Sequence, residues 1–282
     1  MAKVGVIGGS GFIGGWVTAG LIESGHEAIV FDRRKAQAPI NDLASEVWLG
    51  DATDKANVAD LARSTDGLID LAATVEVIGF GDPTSRVLAN VLSGMNFLEA
   101  LRCYNKPGIY MGDPRSTSKE MIGHLCEVYR DSHSTKVNVV TATEVYGAHQ
   151  PGPDEGGFPS LVPRLVSQML SGEDLTVVDE SVDLTYAGDL AMALVGAWEA
   201  TAERKTFPDP VNPGATYAMI DLAEAVVEAG EALGYSRVEI HAVPAETEMC
   251  LDSETSGSLE VLKEGILRTV EWFEANSASR SE

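Results

Sequence analysis

The stretch VIGGSGFIGG, residues 6–15, decides the fold of this chain. An apolar strand pattern leads into it and an apolar helical pattern follows it. Its glycines satisfy G-x-G-x-x-G as Gly9, Gly11 and Gly14, and G-x-x-G-x-x-G as Gly8, Gly11 and Gly14. Glycine is needed where a turn is tight and where the backbone closely approaches a pyrophosphate, while the helix N-terminus offers free N–H groups to that anion. The stretch therefore predicts a dinucleotide-binding turn.

A carboxylate at the end of the second predicted strand supports this interpretation. Asp32 follows Gly14 by 18 residues. A carboxylate at this place accepts hydrogen bonds from the adenosine ribose and repels a 2′-phosphate. The sequence therefore favours NAD over NADP. Arg33 and Arg34 keep the alternative open, because arginines here can bind a 2′-phosphate, and a glycine turn without any ligand is the other alternative.

Short apolar segments alternate with helical patterns through the first half of the chain. Strands are predicted at KVGVIGG, HEAIVFD, EVWLGD, GLIDLAA, GIYM and KVNVVTAT. Helices are predicted at GFIGGWVTAGLIESG, TSRVLANVLSGMNFLEALRCY and SKEMIGHLCEVYRDS. Such alternation predicts an α/β fold with a Rossmann-type, doubly wound parallel sheet.

The composition changes after Tyr146. The segment GAHQPGPDEGGFPS is rich in glycine and proline and predicts a loop. Helices are then predicted at LVPRLVSQMLSG, 222–233 and 259–273, and a strand near VEIHAV. We expect a smaller C-terminal lobe. The predicted division is residues 1–147 plus about 183–200 for the Rossmann domain, and 148–182 plus 201–282 for the smaller lobe.

Composition and charge narrow the class of protein. The net charge of −23 predicts a surface that repels nucleic acid and anionic membranes. The sequence has no run of about 18 apolar residues, so no membrane span is predicted. Its first residues indicate a strand rather than a signal peptide. The odd number of cysteines, Cys103, Cys126 and Cys250, fits a reducing cytoplasm. No metal site is expected, because His124 and Cys126 do not share a helix face.

Five further motifs occur one after another along the chain. They are GDATD with Asp51, DGLIDLAA with Asp70, DPTSRVLANVLSGMNFLEALR with Asn90, VYGAHQPG, and LTYAGDLAMAL with Asp189. Together with the glycine turn, they resemble the extended short-chain dehydrogenase/reductases. This is the NAD-dependent epimerase/dehydratase family, which mostly acts on nucleotide sugars. The resemblance implies a Rossmann-type lobe and a smaller substrate-binding lobe. It also implies a homodimer formed through helices near 87–103 and 118–129, the alternative being that these helices pack only on their own sheet.

The resemblance also implies a set of cofactor-binding residues. In this chain they are Gly8, Gly9, Ser10, Gly11, Phe12, Ile13, Gly14, Asp32, Arg33, Asp51, Ala52, Leu71, Ala72, Ala73, Asn90 and Lys119. Asp51 corresponds to the residue that contacts the adenine. Asp70 stands where the family commonly has histidine.

The chain departs from the family at its catalytic residues. The family uses a Ser or Thr after the fifth strand and a Tyr-x-x-x-Lys pair, whose lysine holds the nicotinamide ribose while the tyrosine moves a proton. Lys119 matches the lysine, but Arg115 stands in place of the tyrosine, and Gly112 and Asp113 stand where serines are usual. Arginine cannot act as a base, because its pKa exceeds about 12.

Other groups are therefore the candidates for moving the proton. They are Tyr110, Asp113, Glu144 and the hydroxyls of Ser116, Thr117 and Ser118, although serines at 116–118 also suit helix capping. The substrate-binding residues are altered as well, since Ala142 and Val182 stand where arginines are common. The remaining candidates for substrate contact are Arg115, Glu144, Tyr146, His149 and Arg164.

Three functions remain open. The first is an NAD-dependent epimerase or dehydratase of a nucleotide sugar with rearranged acid/base groups. The second is an NAD-binding sensor or partner subunit without turnover. The third is a different chemistry on the same fold.

Overall fold

The computed structural model describes residues 1–35, 40–73, 82–152, 160–205, 211–245 and 256–278. Cys250 and part of the predicted loop after Tyr146 lie outside these residues. The chain divides into two compact units. Unit 1 comprises Met1–Ala142 and Gly188–Pro213, and unit 2 comprises Thr143–Ala187 and Gly214–Glu282.

Unit 1 is built on a six-stranded parallel sheet. Its strands are β1 (Lys3–Ile7), β2 (Glu27–Asp32), β3 (Glu46–Leu49), β4 (Gly67–Asp70), β5 (Gly108–Gly112) and β6 (Val137–Thr141). Its helices are α1 (Phe12–Glu23), α2 (Ile40–Leu43), α3 (Lys55–Ser64), α4 (Pro83–Tyr104), α5 (Thr117–His133) and α7 (Ala187–Ala202). The first residue of α7, Ala187, is counted with unit 2.

The strand order β3-β2-β1-β4-β5-β6 is that of a doubly wound sheet. The inner strands are almost entirely buried, as expected for a parallel sheet covered by helices on both faces. The strands and helices predicted for the first half are present, which confirms the predicted fold class. The direction of winding reverses between β1 and β4, and ligands bind at such a switch point, beyond the carboxyl ends of the strands.

Two features of unit 1 differ from the sequence analysis. Helix α3 was not predicted, although Asp54 caps it by accepting the Ala56 N–H at 2.8 Å and one of its faces is buried. The predicted domain boundaries also differ from the two units. Residues 201–213, predicted in the smaller lobe, fall in unit 1, and residues 143–147 and 183–187, predicted in the Rossmann domain, fall in unit 2. Val211 pairs with β6, since its N–H donates to the Val139 carbonyl and its own carbonyl accepts the Thr141 N–H at 2.7 Å.

In its described residues, unit 2 contains two small sheets and three helices. Strands β7 (Glu144–Tyr146), β9 (Ser181–Tyr186) and β10 (Ala215–Ala218) form one sheet, and β8 (Leu175–Asp179) pairs in parallel with β11 (Ile240–Pro244). The helices are α6 (Leu161–Leu170), α8 (Met219–Ala232) and α9 (Leu259–Ala278). Their apolar faces form the core of the unit. In the described parts of the chain, no helix is both long and apolar enough to cross a membrane.

Candidate functional site

The glycine turn between β1 and α1 has the geometry that its spacing predicts. Gly8 has φ +77°, a left-handed conformation that favours glycine, and its N–H donates to the Phe31 carbonyl at 2.9 Å. The Gly11 N–H donates to the Gly8 carbonyl at 3.1 Å. A Cβ atom on Gly14 would overlap the Gly9 carbonyl. Glycine is therefore required at both ends of the turn.

The N-terminus of α1 is left without a side-chain cap. Gly11 is its N-cap residue, and no acidic residue lies in the first turn. Helices α3, α4 and α5, in contrast, are capped by Asp54, Asp82 and Ser116. The first N–H groups of α1 are thus available to an anion, and the positive end of the helix dipole favours one there.

Asp32 is fixed at the carboxyl end of β2. Its Oδ2 accepts the Ser10 N–H at 3.2 Å and its Oδ1 accepts the Arg34 N–H at 3.1 Å. Each carboxylate oxygen can accept a further hydrogen bond. Asp32 therefore joins the glycine turn to β2 and still offers acceptors to a ribose diol.

A cleft of ≈ 170 Å³ lies at this edge of the sheet, entirely within unit 1. The predicted cofactor residues that line it are Gly8, Gly11, Asp32, Arg33, Asp51, Ala52, Leu71, Ala72, Ala73 and Asn90. Gly9, Ser10, Phe12, Ile13 and Gly14 form the turn and the first residues of α1.

Thr53 and Ser93 also line the cleft, and the sequence analysis missed them. Thr53 donates its N–H and its hydroxyl to Asp51 Oδ1 at 2.9 and 2.8 Å, which lowers the pKa of Asp51. Ser93 follows Asn90 by one helical turn on α4. That spacing was the signal that could have found it.

Lys119 lies on the first turn of α5 and is buried, with 6% of its surface exposed. Its Nζ donates to the Met111 carbonyl at 2.9 Å and lies 5.7 Å from the centre of the Tyr110 ring. Nearby, Asn90 Nδ2 donates to Ser118 Oγ at 3.0 Å, which links α4 to the start of α5. Lys119 is thus held at the carboxyl end of β5, on the same edge of the sheet as the cleft.

Arg115 is not on the helix that carries Lys119. Helix α5 begins at Thr117, and Ser116 is its N-cap residue. Arg115 lies in the preceding turn, where its N–H donates to Asp113 Oδ1 at 2.9 Å and its Nε lies 3.3 Å from the same oxygen. A Tyr-x-x-x-Lys pair meets because positions i and i+4 share a helix face. Arg115 and Lys119 do not have that relationship.

Tyr110 is part of the core of unit 1. Its surface is 2% exposed, and its ring packs against Phe97 with centroids 6.3 Å apart. Asp113, one turn before α5, is partly exposed. Of these two candidates for moving a proton, Asp113 is the accessible one.

The remaining predicted substrate residues belong to unit 2. Glu144 is half-buried at the start of β7, and Tyr146 is buried against Tyr186, with ring centroids 5.6 Å apart. His149 has φ +69°, its ring is tilted against that of Trp272 with centroids 5.2 Å apart, and its burial lowers its pKa. Arg164 donates to Gln168 across one turn of α6 at 3.5 Å.

Several solved structures share this fold. The enzyme WbmF of Bordetella bronchiseptica, crystallised with NAD⁺ and UDP, has a TM-score of 0.78 and 20% identity over 99% of this chain and 94% of that one. The UDP-glucose 4-epimerase of Thermotoga maritima, with UDP-glucose, has a TM-score of 0.76 and 21% identity over 97% and 99%. That of Thermus thermophilus, with NAD, has a TM-score of 0.70 and 23% identity over 96% and 99%.

The sequence comparisons give the family. A curated 3-beta-hydroxysteroid dehydrogenase of Mycolicibacterium neoaurum is 34% identical over 79 residues, which span 28% of this chain and only 21% of that protein. The sequence profile of the NAD dependent epimerase/dehydratase family matches residues 4–112 and 110–212, well over half of the chain. The resemblance seen in the motifs is thereby confirmed, and the chain belongs to the NAD-dependent epimerase/dehydratase family.

Proposed function

We propose that this protein binds NAD in the cleft of unit 1 and acts as an epimerase or dehydratase on a nucleotide sugar. The observation that carries the proposal is the preformed cleft, with its glycine turn, the uncapped N-terminus of α1 and Asp32. The names of the structural relatives agree with it, since they bind NAD, UDP or UDP-glucose.

Residues of the cleft are assigned to the pyrophosphate, the adenosine ribose and the adenine. The N–H groups at the start of α1 bind the pyrophosphate, and Asp32 accepts hydrogen bonds from the adenosine ribose. Asp51 is assigned to the adenine. The dinucleotide, when bound, supplies the site for hydride transfer. We favour NAD over NADP because a 2′-phosphate would meet the Asp32 carboxylate, although Arg33 and Arg34 lie close by.

Lys119 is assigned to the nicotinamide ribose. Its ammonium donates to the Met111 carbonyl, and an ammonium is a charged donor of the kind that binds ribose hydroxyls. The proton at the substrate is assigned to Asp113, with Glu144 as the second candidate. Tyr110 is not assigned this role, because its ring is enclosed by the core. Arg115, Tyr146, His149 and Arg164 are assigned to the substrate.

A second function, NAD binding without turnover, is favoured by one observation. Arg115, four residues before Lys119, lies in the turn that precedes α5, so that position supplies no phenol beside Lys119. The protein would then act as a sensor or a partner subunit.

A homodimer is also part of the proposal. Leu88, Leu92 and Met95 form an exposed stripe on α4 at helical spacing, and Met121 and Val128 do so on α5. Helices α4 and α5 pack together, so the two stripes provide an apolar surface for a second copy. Light scattering of Leu92→Glu, which is expected to be monomeric, tests this assignment.

Exposed Cys103 is a free thiol, which agrees with a reducing cytoplasm.

The function is tested in two steps. The purified protein is denatured, and any released dinucleotide is identified by mass spectrometry, followed by titration with NAD and NADP. Nucleotide sugars are then added, and the masses and stereochemistry of the products are measured. Binding with turnover supports the first function, binding without turnover supports the second, and absence of binding overturns both.

A further inference from the structure

Asp70 is a buried carboxylate that the proposed mechanism does not use. It is the last residue of β4, and its surface is only 1% exposed. Its Oδ1 accepts the Ala72 N–H at 2.9 Å. Its Oδ2 is also buried, and no hydrogen-bond partner for it is found among the described residues. Buried carboxylates normally have both oxygens hydrogen-bonded or paired with a positive charge. A buried carboxylate with only one hydrogen-bonded oxygen is therefore a candidate for a functional role.

The groups around Asp70 identify its partner. In the sheet, Asp70 lies in register with Ile7 of β1 and with Tyr110 of β5. Helix α4 packs against β4 and carries the buried but uncharged Asn90 and Ser93. Lys119 is buried, and its Nζ lies 5.7 Å from the centre of the ring of Tyr110, the residue in register with Asp70 on β5. Burial raises the pKa of Asp70 more than the Lys119 charge lowers it, and that charge favours the ionised form.

We propose that Asp70 is a positioning residue of the cofactor cleft: its carboxylate is the buried counter-charge of Lys119, and through the Ala72 N–H it holds the segment 71–73 that lines the cleft. The inference rests on the proposed function, since it assumes that this cleft binds NAD. Asp70 touches neither cofactor nor substrate. It acts through Lys119 and through the backbone of Ala72.

Ionised Asp70 gives Lys119 a reason to stay charged in a buried place. Burial alone favours a neutral amine, and an opposite charge nearby restores the ammonium form. An ammonium has three N–H donors, one of which is used by the Met111 carbonyl. Protonation of Asp70 removes the counter-charge, so the hold of Lys119 on a ribose hydroxyl weakens. NAD binding and the ionisation of Asp70 are then linked, each favouring the other.

The first test is the pH dependence of NAD affinity, measured by calorimetry on the full chain. Burial raises the pKa of Asp70 to about 6, so the dissociation constant of the natural protein is expected to rise as the pH falls through that value. Asp70→Asn keeps an acceptor for the Ala72 N–H but carries no charge. It is expected to bind NAD about tenfold more weakly than the natural protein above pH 6, because an interaction that shifts a pKa by one unit changes an equilibrium constant tenfold. Its NAD affinity is expected to show no change as the pH passes through 6.

The matched control is Asp131→Asn, which makes the same charge change at an exposed position of α5. It is expected to keep both the affinity and the pH step. If Asp70→Asn binds NAD as tightly as the natural protein and with the same pH profile, Asp70 has no role in the cleft and the inference is overturned.

A second test does not depend on NAD and so separates this inference from the proposed function. Lys119→Met is made in the natural chain and in Asp70→Asn, and the denaturant midpoints are compared at neutral pH. If Asp70 and Lys119 are a pair of opposite charges, Lys119→Met lowers the denaturant midpoint more in the natural chain than in Asp70→Asn. In the natural chain it leaves the carboxylate unpaired. Equal losses in the two backgrounds overturn the pair. If the natural protein binds no NAD yet the losses differ, the proposed function fails while the Asp70–Lys119 pair stands.

Discussion

The Nε atom of Arg115 lies 3.3 Å from Oδ1 of Asp113, and this ion pair belongs to the turn before α5. A Tyr-x-x-x-Lys pair meets when both residues lie on one helix, but residue 115 precedes α5. The arginine is therefore a residue of a turn, half-exposed and paired with a carboxylate, at the point where the candidate base Asp113 reaches the surface.

Arg115→Ala separates the structural role of this pair from substrate binding. The pair is about half exposed, so the free energy of unfolding is expected to fall by less than about 1 kcal/mol. On the proposed function, the affinity for a nucleotide sugar, with UDP-glucose as the probe, is expected to fall about tenfold or more, since a hydrogen bond between charged groups contributes about 1.5–3 kcal/mol. Urea unfolding and calorimetry measure the two quantities. An unchanged affinity would restrict Arg115 to its turn.

Gly11→Ala and Gly14→Ala are expected to differ. A Cβ on Gly11 lies 3.3 Å from the Gly8 carbonyl and enters the cleft, so we expect a folded protein with weakened NAD binding. A Cβ on Gly14 overlaps the Gly9 carbonyl, so the turn itself must move, with a loss of stability of about 1–3 kcal/mol.

Thermal unfolding and NAD titration distinguish these two variants. Gly123→Ala is the control, since its Cβ meets nothing within 4 Å on α5, and replacing glycine by alanine inside a helix stabilises it by up to about 1 kcal/mol. Normal NAD binding by Gly11→Ala would show that the pyrophosphate does not approach this turn.

Asp32→Asn changes the choice of cofactor. Asparagine retains one acceptor for the Ser10 or Arg34 N–H but loses the negative charge. NAD affinity is expected to fall about tenfold, and NADP affinity to rise, because Arg33 and Arg34 then meet the 2′-phosphate without a competing carboxylate. The ratio of the two dissociation constants is the measurement. A ratio that stays constant would mean that Asp32 only supports the turn.

Lys119→Met is expected to weaken NAD binding about tenfold or more, because it removes the charged donor assigned to the ribose. Lys106→Met is the matched control. Lys106 Nζ also donates to a backbone carbonyl, that of Thr65 at 2.6 Å, but at the amino ends of β4 and β5. Calorimetry should find NAD affinity unchanged in the control. Equal losses in both variants would indicate general destabilisation instead.

The stability of the protein should also depend on Asp70. Its pKa of about 6 lies above the ordinary value of 3.8. Because the folded value is the higher one, its contribution to the free energy of unfolding is fully present below the ordinary pKa and is lost as the pH rises through about 6. About two pKa units correspond to about 3 kcal/mol. Asp70→Asn avoids this loss.

As the pH rises from about 4 to about 8, we therefore expect the free energy of unfolding of Asp70→Asn to increase by about 2–3 kcal/mol relative to that of the natural protein. Urea unfolding at each pH measures the difference. Carboxyls with a lowered pKa, such as Glu99 beside Arg102 and Tyr129, are present in both proteins and cancel. A difference that does not change with pH would mean that Asp70 is not neutralised by burial.

Much of the fold and half of the site are local in the sequence. The glycine spacing, Asp32 and the alternation of strands and helices each depend on neighbours within a few residues, so they are predictable. Helix α3 was missed because its signals, an Asp54 cap and a short amphipathic pattern, are weak without the sheet that buries its face.

By itself, the amino-acid sequence determined that this chain makes a doubly wound sheet with a dinucleotide turn, because turn geometry and hydrophobic period act at short range. Only the tertiary structure decided that Tyr110 belongs to the core, and that Asp70 is buried where the charge of Lys119 acts on it. Burial and the interaction of charges depend on residues far apart in the chain. Asp70 on β4 and Lys119 on α5 influence each other only when the sheet and its helices have packed.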